Sequence, residues 1–207
     1  MKKYIITALG FILLLTSCIS EKTVTRKYYT LELSQEGTVM ATGTTGIIPG
    51  KCEIAKVNVN PLYERTQIVN RGKSHEITFY MYHQWAVRPA DAIRVMVGDY
   101  MQNKKLFESV SSRYSRTIPD YRLETSVKDL ELVEMNNSFS AHVNLEFELV
   151  LNINDSVMVK HKADRTEPLE RKNMNLFASK VSIIFFEELE ALADLINKKD
   201  LIDESER

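Results

Sequence analysis

Two cysteines in 207 residues, Cys18 and Cys52, are too few for a fold resting on a disulfide framework. The four histidines, His75, His83, His142 and His161, stand at no metal-ligand spacing from one another and read as surface or strand residues. A Gly-x-Ser-x-Gly elbow, a phosphate-binding glycine loop and a His-Glu-x-x-His pair are all missing, so an enzyme is the reading with least support. An excess of one charge is missing too. With 27 Lys and Arg against 28 Asp and Glu, nothing draws the chain to nucleic acid. There is no internal repeat and no low-complexity segment. The longest apolar run, residues 4–15, falls short of the ~20 residues that a membrane-spanning helix needs.

What that run does fit is a secretory signal. Lys2 and Lys3 precede it, and Leu15-Thr16-Ser17-Cys18 follows it: an aliphatic residue, two small residues and a cysteine. This is a lipobox. Cleavage before Cys18 leaves a thiol to carry diacylglycerol and a free amine to carry a further acyl chain, palmitate for example. Each buried methylene adds ~0.8 kcal/mol, so two or three chains anchor a protein durably. Residues 1–17 are therefore read as signal peptide, and residues 18–27 as lipidated cysteine and polar tether. Residue 19 is isoleucine rather than the aspartate that retains many lipoproteins in the inner membrane, which favours the outer membrane. No cofactor is expected beyond the acyl chains. Processing removes two lysines and leaves 25 basic against 28 acidic residues, a net charge of −3. Acylated Cys18 leaves Cys52 without an intrachain partner, most simply a small buried apolar residue.

Residues 28–199 read as one α+β domain, followed by a charged tail over 200–207. Strands are expected over 28–33, 54–59, 67–69 and 76–82, with a glycine-rich loop over 34–51 and a hairpin turning at 71–73. Pro89 opens an amphipathic helix reaching about residue 107, and Gly98 inside it suggests a close neighbour. From Phe139 to Ile153 apolar and polar residues alternate without a break, the mark of a long half-buried strand. The strand before it, 122–134, changes phase near Lys128 and Asp129, which predicts a bulge. A turn at 154–156 leads into 157–159. A helix over 174–198 carries an apolar stripe through Ala178, Val181, Phe185, Leu189, Leu192 and Ile196, with Glu187, Glu188 and Glu190 on a solvated face. The expected architecture is a mostly antiparallel sheet with two amphipathic helices packed on one face.

Residues 57–71, VNVNPLYERTQIVNR, lead in order to His83-Gln84-Trp85-Ala86-Val87-Arg88-Pro89 and the first helix. With Tyr28-Tyr29-Thr30-Leu31 and Pro119-Asp120-Tyr121-Arg122-Leu123, these stretches resemble the ABC-type transport auxiliary lipoproteins. Leu62 and Thr66 depart from the residues more usual there, which bears on the stiffness of the loop. The resemblance implies a periplasm-facing lipoprotein that docks at the outer membrane. Its implied partners are a mammalian-cell-entry (MCE) protein and ABC transporter subunits moving phospholipid or other hydrophobic substrates. A homo-oligomer is compatible with ring-forming partners. The residues put forward for partner binding are Tyr63, Arg65, Gln67, Arg71 and Trp85, on an exposed 63–71 segment. Trp85 reads first as a core plug between the sheet and the first helix, with an interface anchor as the second reading. Two alternatives stand beside docking: a lipid-carrying module with an acyl-sized cavity, and an assembly lipoprotein of another outer-membrane machine.

Overall fold

The computed structural model describes residues 25–33, 48–73 and 75–198. The lipidation reading at Cys18, the signal peptide, most of the glycine-rich loop and the charged tail lie outside the described residues. The strands, in chain order, are β1 (Lys27–Tyr29), β2 (Ile48–Ile54), β3 (Asn58–Val59), β4 (Gln67–Arg71) and β5 (Ile77–Trp85). Helix α1 (Pro89–Lys104) follows, then β6 (Phe107–Ser111), β7 (Tyr121–Met135), β8 (Ser138–Leu151), β9 (Ser156–Leu169) and helix α2 (Met174–Lys198).

All nine strands belong to one sheet. Most of its paired residues are antiparallel, as expected, in the long β7–β8 and β8–β9 ladders, but the sheet is mixed and carries parallel pairs that were not foreseen. β7 is its spine: along one edge it pairs antiparallel with β8, which in turn pairs antiparallel with β9. Along the other edge it takes β2, β3 and β4 in succession, each parallel. Beyond them β6 adds parallel to β2, β5 adds antiparallel to β4, and β1 adds parallel to β5. The parallel pairs arise because the chain returns through long connections, α1 among them, whereas the β7–β9 meander returns through tight turns. Asn136 and Asn137, with φ of 49° and 62°, form a two-residue turn of the twist that suits a hairpin, and Asp155 at φ 56° helps turn the next.

Several elements depart from expectation for local reasons. β1 ends at Tyr29, and residues 30–33 are not strand. β2 begins already at Ile48, inside the expected loop. There Gly50 adopts φ +110° and accommodates a register shift against β6. The run 54–59 divides into the end of β2 and the short β3. α1 stops at Lys104, closed by Lys105 in the left-handed region, and an unforeseen strand, β6, follows. β9 extends far past residue 159 through charged residues. The bulge in β7 falls between Val127 and Asp129, where the phase change placed it.

Buried side chains from sheet and helices form a continuous core. Leu123, Leu132, Val143, Leu145, Phe147 and Leu149 from β7 and β8 are fully buried, as are Phe177, Val181, Phe185, Leu189 and Leu192 of α2. Burying such a side chain contributes ~1.5–3 kcal/mol. Cys52 is buried, as read, and burial pushes its thiol up to about 12. The helices also touch each other: Tyr100 Oη donates to Glu190 Oε1 at 2.7 Å, and Lys104 Nζ lies 2.8 Å from Glu190 Oε2. The acids of α2 are therefore not simply a solvated face. Glu188 is buried, 2.7 Å from His161 Nε2 and from Arg165 Nη1 of β9. No helix among the described residues is long and apolar enough to cross a membrane.

Candidate functional site

The 63–71 segment does not form an exposed strip. After β3 the chain turns through Asn60, whose backbone carbonyl accepts from Tyr63 N–H at 2.8 Å and whose side-chain oxygen accepts from Leu62 N–H at 3.1 Å. This side-chain turn is typical of asparagine. It folds the ring of Tyr63 inward, leaving 2% of the residue exposed. Ile68, Val69 and Asn70 are also buried, while residues 64–67 and Arg71 are half-buried.

Tyr63 and Arg71 meet at a carboxylate that the sequence reading did not single out. Glu131, in the middle of β7, is fully buried and accepts from Tyr63 Oη at 2.7 Å and from Arg71 Nε at 2.5 Å. His142 Nδ1 lies 3.1 Å from the same carboxylate, and its Nε2 lies 2.9 Å from Asp164 of β9. Arg71 Nη2 also donates to Tyr63 Oη at 3.0 Å, and Asp129 Oδ1 stands 3.0 Å from that oxygen. Five segments, the 60–64 turn and strands β4, β7, β8 and β9, are thus tied to one charged node.

Its ionisation follows from these contacts. Burial alone pushes the Glu131 carboxyl up, but hydrogen bonds from His142, Arg71 and Tyr63 outweigh it and hold the group at about 2. The bond to Glu131 raises His142 most, burial opposes it, and Asp164 adds to the rise, giving about 9. The imidazole therefore carries both protons at neutral pH, donating to a carboxylate from each nitrogen. Tyr63 is raised, first by burial and then by its bond to Glu131. With every member of the node partnered, its physical role is to clamp the 60–71 segment onto the sheet.

The other sequence-selected residues lie elsewhere. Arg65 places its guanidinium 4.2 Å above the ring of Phe79, and its Nε is buried without a hydrogen-bond partner. Gln67 opposes Gln84 across β4 and β5 and is half-buried. Trp85 is buried, with its ring 5.7 Å from that of Phe177 on α2. Glu64, between the selected residues, accepts from the Ala90 amide at 3.3 Å and so caps the start of α1, where Arg88 offers no side-chain cap. Glu131 and His142 could have been paired by counting outward from the Asn136–Asn137 turn, since the hairpin places them directly opposite each other. Among the described residues no three His, Cys, Asp or Glu side chains are grouped to hold a metal ion.

The chain belongs to the family of ABC-type transport auxiliary lipoprotein components, whose model matches residues 29–188. The fold is similar to that of a Xanthomonas campestris protein seen in a crystal structure. The TM-score is 0.69 at 16% identity, covering 88% of this chain and 100% of that one. It is similar also to an uncharacterized protein at TM-score 0.63 and 12% identity, covering 82% of this chain and 97% of that one. Comparison with curated proteins finds no match.

Proposed function

We propose that the chain is anchored through acyl groups on Cys18 and acts in the cell envelope, at the outer membrane. There it would dock an MCE-type protein and its ABC transporter subunits in the movement of phospholipid or other hydrophobic substrates. Membership of the auxiliary lipoprotein family across residues 29–188 is the observation that carries this reading. Clamping of the 60–71 segment by Glu131 supports it, because a partner meets Arg65 and Gln67 on a pre-ordered backbone. Tyr63 and Trp85 are buried, so in this reading they hold the surface rather than form it. The lipid-carrier alternative has less support: Val97 and Met101 of α1, Phe147 of β8, and Phe177, Val181 and Phe185 of α2 are fully buried in one continuous core.

The test is a mild-detergent pull-down of the tagged, lipidated protein from envelopes, with mass spectrometry of what accompanies it. Recovery of an MCE-domain protein and ABC subunits, lost in the Arg65→Ala, Gln67→Ala double variant, is the expected result. Tyr63→Phe, which keeps the ring packed, retains the partners. Recovery of the protein alone, or with unrelated outer-membrane machinery, overturns the proposal.

A further inference from the structure

Beside the start of the described chain, the β1–β5 edge carries a cluster of exposed apolar side chains. Tyr28 is 59% exposed, Met81 70% and Tyr82 43%. β1 covers only the last part of β5, where Lys27, Tyr28 and Tyr29 pair with His83, Gln84 and Trp85. The outer edge of β5 from Ile77 to Tyr82 has no strand partner among the described residues. Neither strand contains an acid, and Arg26 and Lys27 are exposed beside this edge. Exposed edges are usually blunted by charge or proline, and this one carries aromatic and thioether groups instead.

The geometry points to a lipid surface as the occupant of this edge: the domain rests its β1–β5 edge on the membrane in which the Cys18 acyl chains sit. This rests on Cys18 being the lipid anchor. Two observations select the membrane over another occupant. The first is chain length. Lys27 lies nine residue steps beyond Cys18, so even a fully extended tether reaches at most roughly 30 Å. Because β1 runs parallel to β5 with Lys27 opposite His83, the chain enters β1 from the side on which β5 has its residues before His83. The described chain thus begins on the side of the exposed cluster. The second is chemistry. Tyrosines with an apolar ring and a polar tip suit the headgroup boundary, and Arg26 and Lys27 meet anionic headgroups without a competing carboxylate on either strand. Unpaired backbone groups along β5 find water and headgroup acceptors at that depth. The orientation presents the far end of the sheet, the β8–β9 turn with Ile153, away from the bilayer.

The full lipidated chain would be reconstituted into vesicles of phosphatidylethanolamine and phosphatidylglycerol. An environment-sensitive dye would be attached through Met81→Cys in one preparation and through Ile153→Cys in another. Cys52 is fully buried and stays unlabelled. With acylated Cys18 confirmed by mass, the expected result is a blue shift and several-fold brightening at position 81. Lipid-borne quenchers would then reach that dye and not the one at 153. Exchanging phosphatidylglycerol for neutral lipid, or introducing Arg26→Glu with Lys27→Glu, lowers the signal at 81. If the protein is acylated and floats with the vesicles, yet the dye at 81 is as wet as at 153, the inference fails while the anchor stands. If the dye at 81 is already shielded in detergent in a concentration-dependent way, the edge belongs to a second copy and the inference fails. An unacylated Cys18 overturns both.

Discussion

Replacing Glu131 with glutamine removes the negative charge that Tyr63, Arg71 and His142 all address, with almost no change in shape. A carboxyl held at about 2 against an ordinary 4.5 corresponds to ~3 kcal/mol of stabilisation at neutral pH, at ~1.36 kcal/mol per pH unit. The elevation of His142 to about 9 reports part of the same interaction and is not added to it. Arg71 and His142 keep 32% and 20% of their side chains in contact with water and recover some solvation once the anion is gone. The expected loss is therefore about 2 kcal/mol, below the ~3–5 kcal/mol typical of breaking a fully buried pair. Urea unfolding followed by the fluorescence of Trp85, the single tryptophan, reads this as a lower midpoint at unchanged slope. The pH dependence supplies a second reading. A histidine whose folded value is raised stabilises fully below its unfolded value of about 6.5 and loses that contribution as pH rises through about 9. Stability of the parent protein should therefore fall between those values, and Glu131→Gln should flatten that part of the fall. For Glu131 the sign is opposite: its contribution is present above about 4.5 and lost as pH drops through about 2. A variant within ~0.5 kcal/mol of the parent, the range of an ordinary surface change, would refute the clamp. So would an unaltered pH slope.

Gly98→Ala in α1 should raise the melting temperature, gaining ~0.5–1 kcal/mol. Alanine is the better helix former, and its Cβ would meet Ile54 Cγ1 at an ordinary 3.8 Å; a lowered melting temperature would show a tighter contact than the structure has. Gly50→Ala should cost about 2 kcal/mol, because φ is +110° and the new Cβ would lie 2.7 Å from Asp120 Oδ2. That carboxylate accepts from the Lys51 amide at 2.8 Å, so moving it also disturbs the start of β2. An unchanged urea midpoint would contradict this reading.

The sequence by itself determined what depends on neighbours along the chain. The apolar stripe of α2 repeats every three or four residues, and the helix spans Met174–Lys198 as the stripe predicts. Alternation in β8, the phase change that marks the β7 bulge and the turn at 154–156 were legible because each is a matter of adjacent residues. β6 was not legible, being too short and polar. Nor was most of β9, where charged residues replace apolar alternation on an edge strand. Tertiary structure alone decided that β2, β3 and β4 lie parallel along one edge of β7, since strand adjacency across long connections leaves no periodic trace. It also decided the fate of Tyr63. On the sequence the residue follows a proline in a polar loop and reads as exposed. In the fold its hydroxyl reaches a buried carboxylate 68 residues away. Pairing a tyrosine from a turn with an arginine and a histidine from separate strands lets a charge sit inside the sheet, and that compensation exists only once these segments are side by side.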